Sequence, residues 1–375
     1  MKIFRQSHRF SSLRKSSTIR SDQMIIPHSR PTISKRDMDS VARNLLSGQI
    51  ASRKEVGLFE KEMSSFIGVR MGVAANSGTN ALHLALKALG IKSGDEVVLP
   101  TYVCASVLSA VNYTGATPVL ADIEPGGYNI SPESVEEKLS KKTKAIIVPH
   151  MFGIPANLDR LLKIDVPLIE DCAQAIGAEY KGKKLGSLGD LSIFSFYATK
   201  VLTTGHGGMA LANSPQLLDR FADLTKYDER EGYAVSYNYE MADFAAALGR
   251  SQLRQLDSFI RRRNEIAKIY DDAFERIGMD GRTNRDGICF RYVVEVDNPD
   301  KYIEAMKKCG VNCAKPVFRP LHKYFGKCGE FPNAERAMSR AISVPIYPSL
   351  NDEEISRICK SINRVWANGS PNHMR

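Results

Sequence analysis

Long apolar runs are missing from this chain: nothing approaches the ~18 residues of a membrane span, so no membrane partner is expected. A disulfide framework is missing too. The seven cysteines (Cys104, Cys172, Cys289, Cys309, Cys313, Cys328 and Cys359) are odd in number and irregularly spaced, which fits a reducing cytoplasm. There is no paired Cys-x-x-Cys, and Cys309, Cys313 and Cys328 have only His322 nearby, so no metal is expected. Acidic residues are the minority, 42 against 52 basic, for a formal charge of +10. That surplus is uneven, because Met1 to Gln23 holds Lys2, Arg5, Arg9, Arg14, Lys15 and Arg20 against Asp22 alone. Half of the excess therefore belongs to a Ser-rich leader that lacks the apolar core of a secretory signal; its Arg and Ser content suits a transit peptide, but it reads rather as a disordered, dispensable tail. A regulatory DNA-binding protein is the alternative from another class, suggested only by charge; without a recognisable helix-turn-helix and with half of the excess charge in the leader, no nucleic-acid partner is expected.

What is present is the composition of a soluble enzyme, with 43% hydrophobic and 25% charged residues over 375 positions. The length suits two domains, a large one over 24–260 and a smaller C-terminal α/β one over 261–375, after the leader at 1–23. Strand-like apolar runs alternate with amphipathic stretches. Seven runs stand out: Gly72 to Ala75, Glu96 to Leu99, Pro118 to Ala121, Ala145 to Val148, Pro167 to Ile169, Leu191 to Phe194 and Gly208 to Leu211. Such a series predicts a seven-stranded, mostly parallel sheet covered by helices. Further on, Ala242 to Ile277 has helical spacing, Ile288 to Val296 reads as a strand, and Pro299 to Lys308 and Asp352 to Trp366 read as helices. The run Arg261-Arg262-Arg263 reads as a solvated helix face.

Lys200 is the most informative residue. It lies between the run Phe194 to Thr199 and the Gly-rich turn Thr203 to Gly208, where an amine can be desolvated and made nucleophilic enough to form a Schiff base. A second apolar run, Val166 to Ile169, ends in Glu170 and Asp171. An aspartate and a lysine closing neighbouring strands are what pyridoxal 5'-phosphate needs, the carboxylate keeping the pyridine nitrogen protonated and the amine holding the aldehyde. Asn76-Ser77-Gly78-Thr79-Asn80 is a strand-to-helix turn whose free amides suit a phosphate.

Four motifs in this order, Asn76-Ser77-Gly78-Thr79, Glu170-Asp171-Cys172-Ala173-Gln174-Ala175, Phe194 to Lys200 with Thr203-Thr204-Gly205, and Tyr237-Asn238-Tyr239-Glu240-Met241, resemble the DegT/DnrJ/StrS family of sugar aminotransferases. The resemblance runs from about Ile25 to Trp366. It implies fold type I of the pyridoxal-phosphate enzymes, a homodimer with shared active sites, and transfer of an amino group, usually from L-glutamate, to a nucleotide-linked keto sugar. By motif, Lys200 and Asp171 are the catalytic pair and Gln174 lies against the cofactor ring. Gly78, Thr79 and Ser195 hold the phosphate, joined by Asn238 of the other subunit. The chain departs from the family pattern at Cys104, where an aromatic residue commonly stacks on the cofactor, with Tyr102 nearby. It also departs at His206, often Glu, at Glu240, often basic, and at Lys315, often Arg or His, in the stretch ending Pro320-Leu321-His322. Lys315 and His322 are expected near the substrate. Dehydratases of the same cofactor class replace the lysine with histidine, so Lys200 argues for a transaminase, with a cyclitol or other keto compound as the alternative substrate.

Overall fold

The computed structural model describes residues 25–228, 230–282 and 287–367, so the 1–23 leader lies outside the described residues. The strands are β1 (Met71–Ala75), β2 (Glu96–Pro100), β3 (Thr117–Ala121), β4 (Thr143–Pro149), β5 (Leu168–Asp171), β6 (Glu179–Tyr180), β7 (Lys183–Lys184), β8 (Leu191–Ser195), β9 (Gly208–Ala212), β10 (Tyr292–Glu295) and β11 (Ala341–Val344). The helices are α1 (Lys35–Leu46), α2 (Lys54–Ile67), α3 (Gly78–Ala88), α4 (Ala105–Tyr113), α5 (Pro132–Lys138), α6 (Leu158–Leu161), α7 (Pro215–Thr225), α8 (Asp243–Leu253), α9 (Leu256–Glu275), α10 (Pro299–Lys308), α11 (Pro332–Arg340) and α12 (Asp352–Ala367).

Seven strands form one sheet in the order β1-β9-β8-β5-β4-β2-β3. These are the seven apolar runs of the sequence. Only β9 is reversed, pairing antiparallel with β1 and β8 while the other pairs are parallel. Helices cover both faces, so strands such as β4 and β5 are buried almost throughout and appear in the sequence as unbroken apolar stretches. The crossovers leave the C-terminal ends of β5 and β8 beside the helix starts that follow β1 and β2, the usual location of a ligand crevice in such sheets.

In the C-terminal part, β10 and β11 pair antiparallel, and Ile26 shares a buried cluster with Tyr270, Tyr292, Val294, Ile358 and Trp366. Ile26 also bridges to Val311. A cut at residue 260 would fall inside α9, which spans both parts. The predicted helix from Ala242 to Ile277 is two helices, α8 and α9, and the strand expected from Ile288 is hydrogen-bonded only from Tyr292. The Arg261 to Arg263 run is not one solvated face. Successive helix positions are rotated by about 100°, so one of three must turn inward. Arg263 is buried and donates to the carbonyls of Phe290 (3.1 Å) and Ile346 (2.9 Å). All seven cysteines are free thiols. Among the described residues, no helix is long and apolar enough to cross a membrane.

Candidate active site

A cavity of about 350 Å³ opens where four chain segments meet, and Gly78, Thr79, Cys104, Asp171, Gln174, Ser195 and Lys200 all line it. The strand register accounts for this. Asp171, the last residue of β5, pairs with Ile193 of β8, and Ser195 lies two residues further on the same face.

The helix start is built from Ser77 and Gly78. Ser77 is the N-cap of α3, its Oγ accepting the Asn80 N–H at 3.1 Å. The amides of Gly78 and Thr79 keep no hydrogen-bond partner among the described residues, which leaves two donors and the positive end of the helix dipole for an anion. Gly78 must be glycine here, because a Cβ would lie 2.8 Å from Ser195 Cβ. Gly78→Ala is expected to push α3 off Ser195 and weaken cofactor binding about tenfold. A spectroscopic titration of the apoprotein checks this, and an unchanged dissociation constant would refute the cradle.

Asp171 is held by its neighbours. The His150 N–H donates to its carbonyl at 3.1 Å and the Ala173 N–H to its Oδ1 at 3.0 Å. Strand alternation turns Glu170 to the opposite side, where its carboxylate accepts the amides of Gly186, Leu188 and Gly189 at 2.8 to 2.9 Å. His150 Nδ1 accepts the Ala156 amide at 3.1 Å, so its proton sits on Nε2, which faces Glu170 Oε2 at 3.2 Å. His150, Glu170 and Cys172 are the one group among the described residues whose ligand atoms come within 4.8 Å of one another. The nitrogens of His150 and the oxygens of Glu170 are committed to this network, and burial holds the Cys172 thiol well above the usual thiol range.

Lys200 lies in a loop closed by the Phe196 amide on the Gly207 carbonyl (2.8 Å) and the Thr204 amide on the Phe196 carbonyl (2.9 Å). Its Nζ is 5.5 Å from the centroid of the Phe290 ring. Burial lowers the Lys200 pKa; Asp171 opposes that shift and Arg291 reinforces it. The same burial raises the Asp171 pKa against the Ala173 amide and the Lys200 charge. Desolvation thus pushes both groups toward neutrality, as a site prepared for polar chemistry requires. Gln174 is fixed by the Phe152 N–H, which donates to its Oε1 at 3.1 Å from a left-handed backbone position (φ 60°).

The other expected site residues lie elsewhere. Asn238 is exposed and does not line the cavity, although its neighbour Tyr239 accepts the Asn76 amide at 2.7 Å just before α3. Lys315 pairs with Asp300 at 2.9 Å outside the cavity. His322 is fully buried, its Nδ1 2.7 Å from Thr101 Oγ1 and its ring stacked on Phe331. Tyr102 is buried against Tyr128, so of the two residues near the expected stacking position only Cys104, at the N-cap of α4, faces the cavity. Phe290 and Arg291 beside Lys200 were not anticipated. A basic residue inside the apolar run Ile288 to Val296 was the one available signal.

A half-buried lysine, a buried carboxylate and an unpaired helix start line one cavity, the set of groups that a phosphorylated cofactor with an aldehyde requires. The chain belongs to the DegT/DnrJ/EryC1/StrS aminotransferase family, which matches residues 31–363. It is 34% identical to the GDP-perosamine synthase of Escherichia coli O157:H7 over 91% of this chain and 99% of that protein. Among solved structures it superposes on the aminotransferase TlmJ from Streptoalloteichus hindustanus with a TM-score of 0.86, 31% identity, and coverage of 92% and 99%. The PLP form of a putative sugar aminotransferase, Spr1654 from Streptococcus pneumoniae, superposes at 0.85 with 26% identity over 92% and 99%.

Proposed function

We propose that this aminotransferase moves an amino group from L-glutamate to a keto sugar attached to a nucleoside diphosphate. Its cofactor is pyridoxal 5'-phosphate. The observation that carries the reading is the convergence of Lys200, Asp171 and the free amides of Gly78 and Thr79 on one cavity. Each suits one end of that molecule: the amides and Ser195 Oγ the phosphate, the Asp171 carboxylate the pyridine nitrogen, the Lys200 amine the aldehyde. Once bound, the cofactor supplies an electron sink for bond breaking at the amino-bearing carbon.

The residues of the chain do the rest. Asp171, shielded from water, would keep a proton on the ring nitrogen of the bound cofactor. Gln174, tied to the Phe152 amide, orients the ring edge. Lys200 would hold the aldehyde and, as a neutral amine, would move a proton between cofactor and substrate carbons, a role its lowered pKa serves. Cys104 offers a small wall where relatives commonly carry an aromatic ring, which leaves the ring face less confined. The choice of a nucleotide sugar follows the similarity to a GDP-perosamine synthase. A panel of GDP-, UDP- and dTDP-linked keto sugars with L-glutamate as donor tests it. Formation of 2-oxoglutarate with none of them, but with a free cyclitol ketone, would replace this substrate class.

The exposed position of Asn238, next to a segment anchored at the start of α3, fits a role in the phosphate site of a second copy in a homodimer. Lys200→Ala and Asn238→Asp should each be poor alone, the second because it sets a negative charge beside a phosphate. Refolded together, they should regain about a quarter of wild-type activity, since about half the dimers are mixed and each of these has one intact site. No recovery, with mixed dimers shown to form, would return Asn238 to its own chain.

A further inference from the structure

Phe290 gathers three cations about its ring. Lys200 Nζ lies 5.5 Å from the centroid, Arg291 Cζ 5.4 Å and Arg263 Cζ 5.8 Å, all within the reach of a cation–π contact. Two of these cations are accounted for. Lys200 is electrostatically coupled to Asp171, and Arg263 donates to two backbone carbonyls.

Arg291 is different. Among the described residues it forms no ion pair, and its hydrogen bonds go only to the His28 ring, Nη1 standing 3.1 Å from Nε2 and 3.3 Å from Nδ1. His28 is neutral, since burial and the Arg291 charge hold its pKa down at about 3, so it does not offset the Arg291 charge, and it is tied in turn to Ser343 Oγ at 2.9 Å. The Arg291 guanidinium stays protonated at neutral pH, with its pKa lowered by burial to about 10. Its Nε and Nη2 make no hydrogen bond among the described residues. Arg291 is not among the residues that line the cavity, but it neighbours Lys200 closely enough to act on its charge, and a half-buried guanidinium held by Nη1 with Nε and Nη2 unengaged among the described residues is a receptor for a planar anion.

The phosphate already has the start of α3, so Arg291 needs a second anion. The amine that takes the place of Lys200 must come to the carbon that Lys200 held, and in an α-amino acid a carboxylate is attached one carbon away. We propose that Arg291 receives a carboxylate of the amino donor, with His28 and Phe290 holding the guanidinium in position. This rests on the transaminase reading above. It makes Arg291 a specificity residue for donors that carry a carboxylate.

The test compares wild-type, Arg291→Gln and Arg291→Lys holoproteins. One readout is the absorbance change of the bound cofactor as L-glutamate is added without acceptor. The other is calorimetric binding of glutarate and of GDP. Arg291→Gln should raise the half-saturating L-glutamate concentration and the glutarate dissociation constant about tenfold or more, the loss of a charge-assisted bidentate contact. Arg291→Lys should recover part of this, and GDP binding should stay within about twofold, as expected for a site that does not touch the nucleotide. Equal constants in wild type and Arg291→Gln overturn the assignment while leaving the transaminase reading intact. Weakened GDP with unchanged glutarate overturns it in favour of a nucleotide contact. A parallel loss of both ligands and of melting temperature, not relieved by lysine, reduces Arg291 to packing. If L-glutamate does not convert the wild-type cofactor, the donor reading fails, and this assignment with it.

Discussion

Lys200→Ala is expected to remove turnover, by about 10²- to 10⁴-fold for the lost proton transfer alone and further for the lost covalent step. The cofactor should nonetheless remain bound, because the amides of Gly78 and Thr79 and the Ser195 hydroxyl would hold its phosphate without the lysine. The measurement is single-turnover rate against cofactor content after dialysis. In the wild type, borohydride treatment followed by peptide mapping should find the cofactor fixed on Lys200. Turnover near wild type in Lys200→Ala, or a label on another lysine, would remove Lys200 from the chemistry.

Asp171→Ala is expected to lose both rate and affinity. The carboxylate is almost fully buried, at 7% exposure, and braced by the Ala173 amide, so nothing else in its place would hold a proton on the ring nitrogen. Removing one preorganised charge partner of this kind costs about 10²- to 10³-fold in rate. Here the cofactor dissociation constant should rise as well, which distinguishes this variant from Lys200→Ala. Measuring both quantities at one pH suffices. A variant that keeps the wild-type rate would contradict the role of Asp171, and one that loses rate but not affinity would limit that role to catalysis.

The residues proposed to hold the cofactor could be expected to meet because their signals are local. Ser77 and Gly78 at a strand-to-helix turn, Asp171 at the end of one strand and Lys200 just beyond another are each marked by their immediate neighbours, and all reach the cavity. The substrate end was not legible in the same way. His322 looked like a candidate from its Pro-Leu-His setting, yet its ring is closed in by Thr101 and Phe331. Lys315 is engaged by Asp300, whose position depends on where α10 packs. Arg263 looked like part of a solvated run, but rotation along α9 turns it onto the Phe290 and Ile346 carbonyls.

By itself the sequence determined the seven strands of the main sheet, its mostly parallel character and the order of the cofactor motifs. Buried parallel strands must be apolar along their length, and caps and glycine turns leave short-range marks. Only the tertiary structure decided that β9 alone runs backwards, that Ile26 joins the C-terminal cluster, and that Phe290 and Arg291 stand beside Lys200. These depend on the packing of segments far apart in the chain, and side-chain direction across such a contact is set by the packed elements together rather than by any residue's neighbours in sequence.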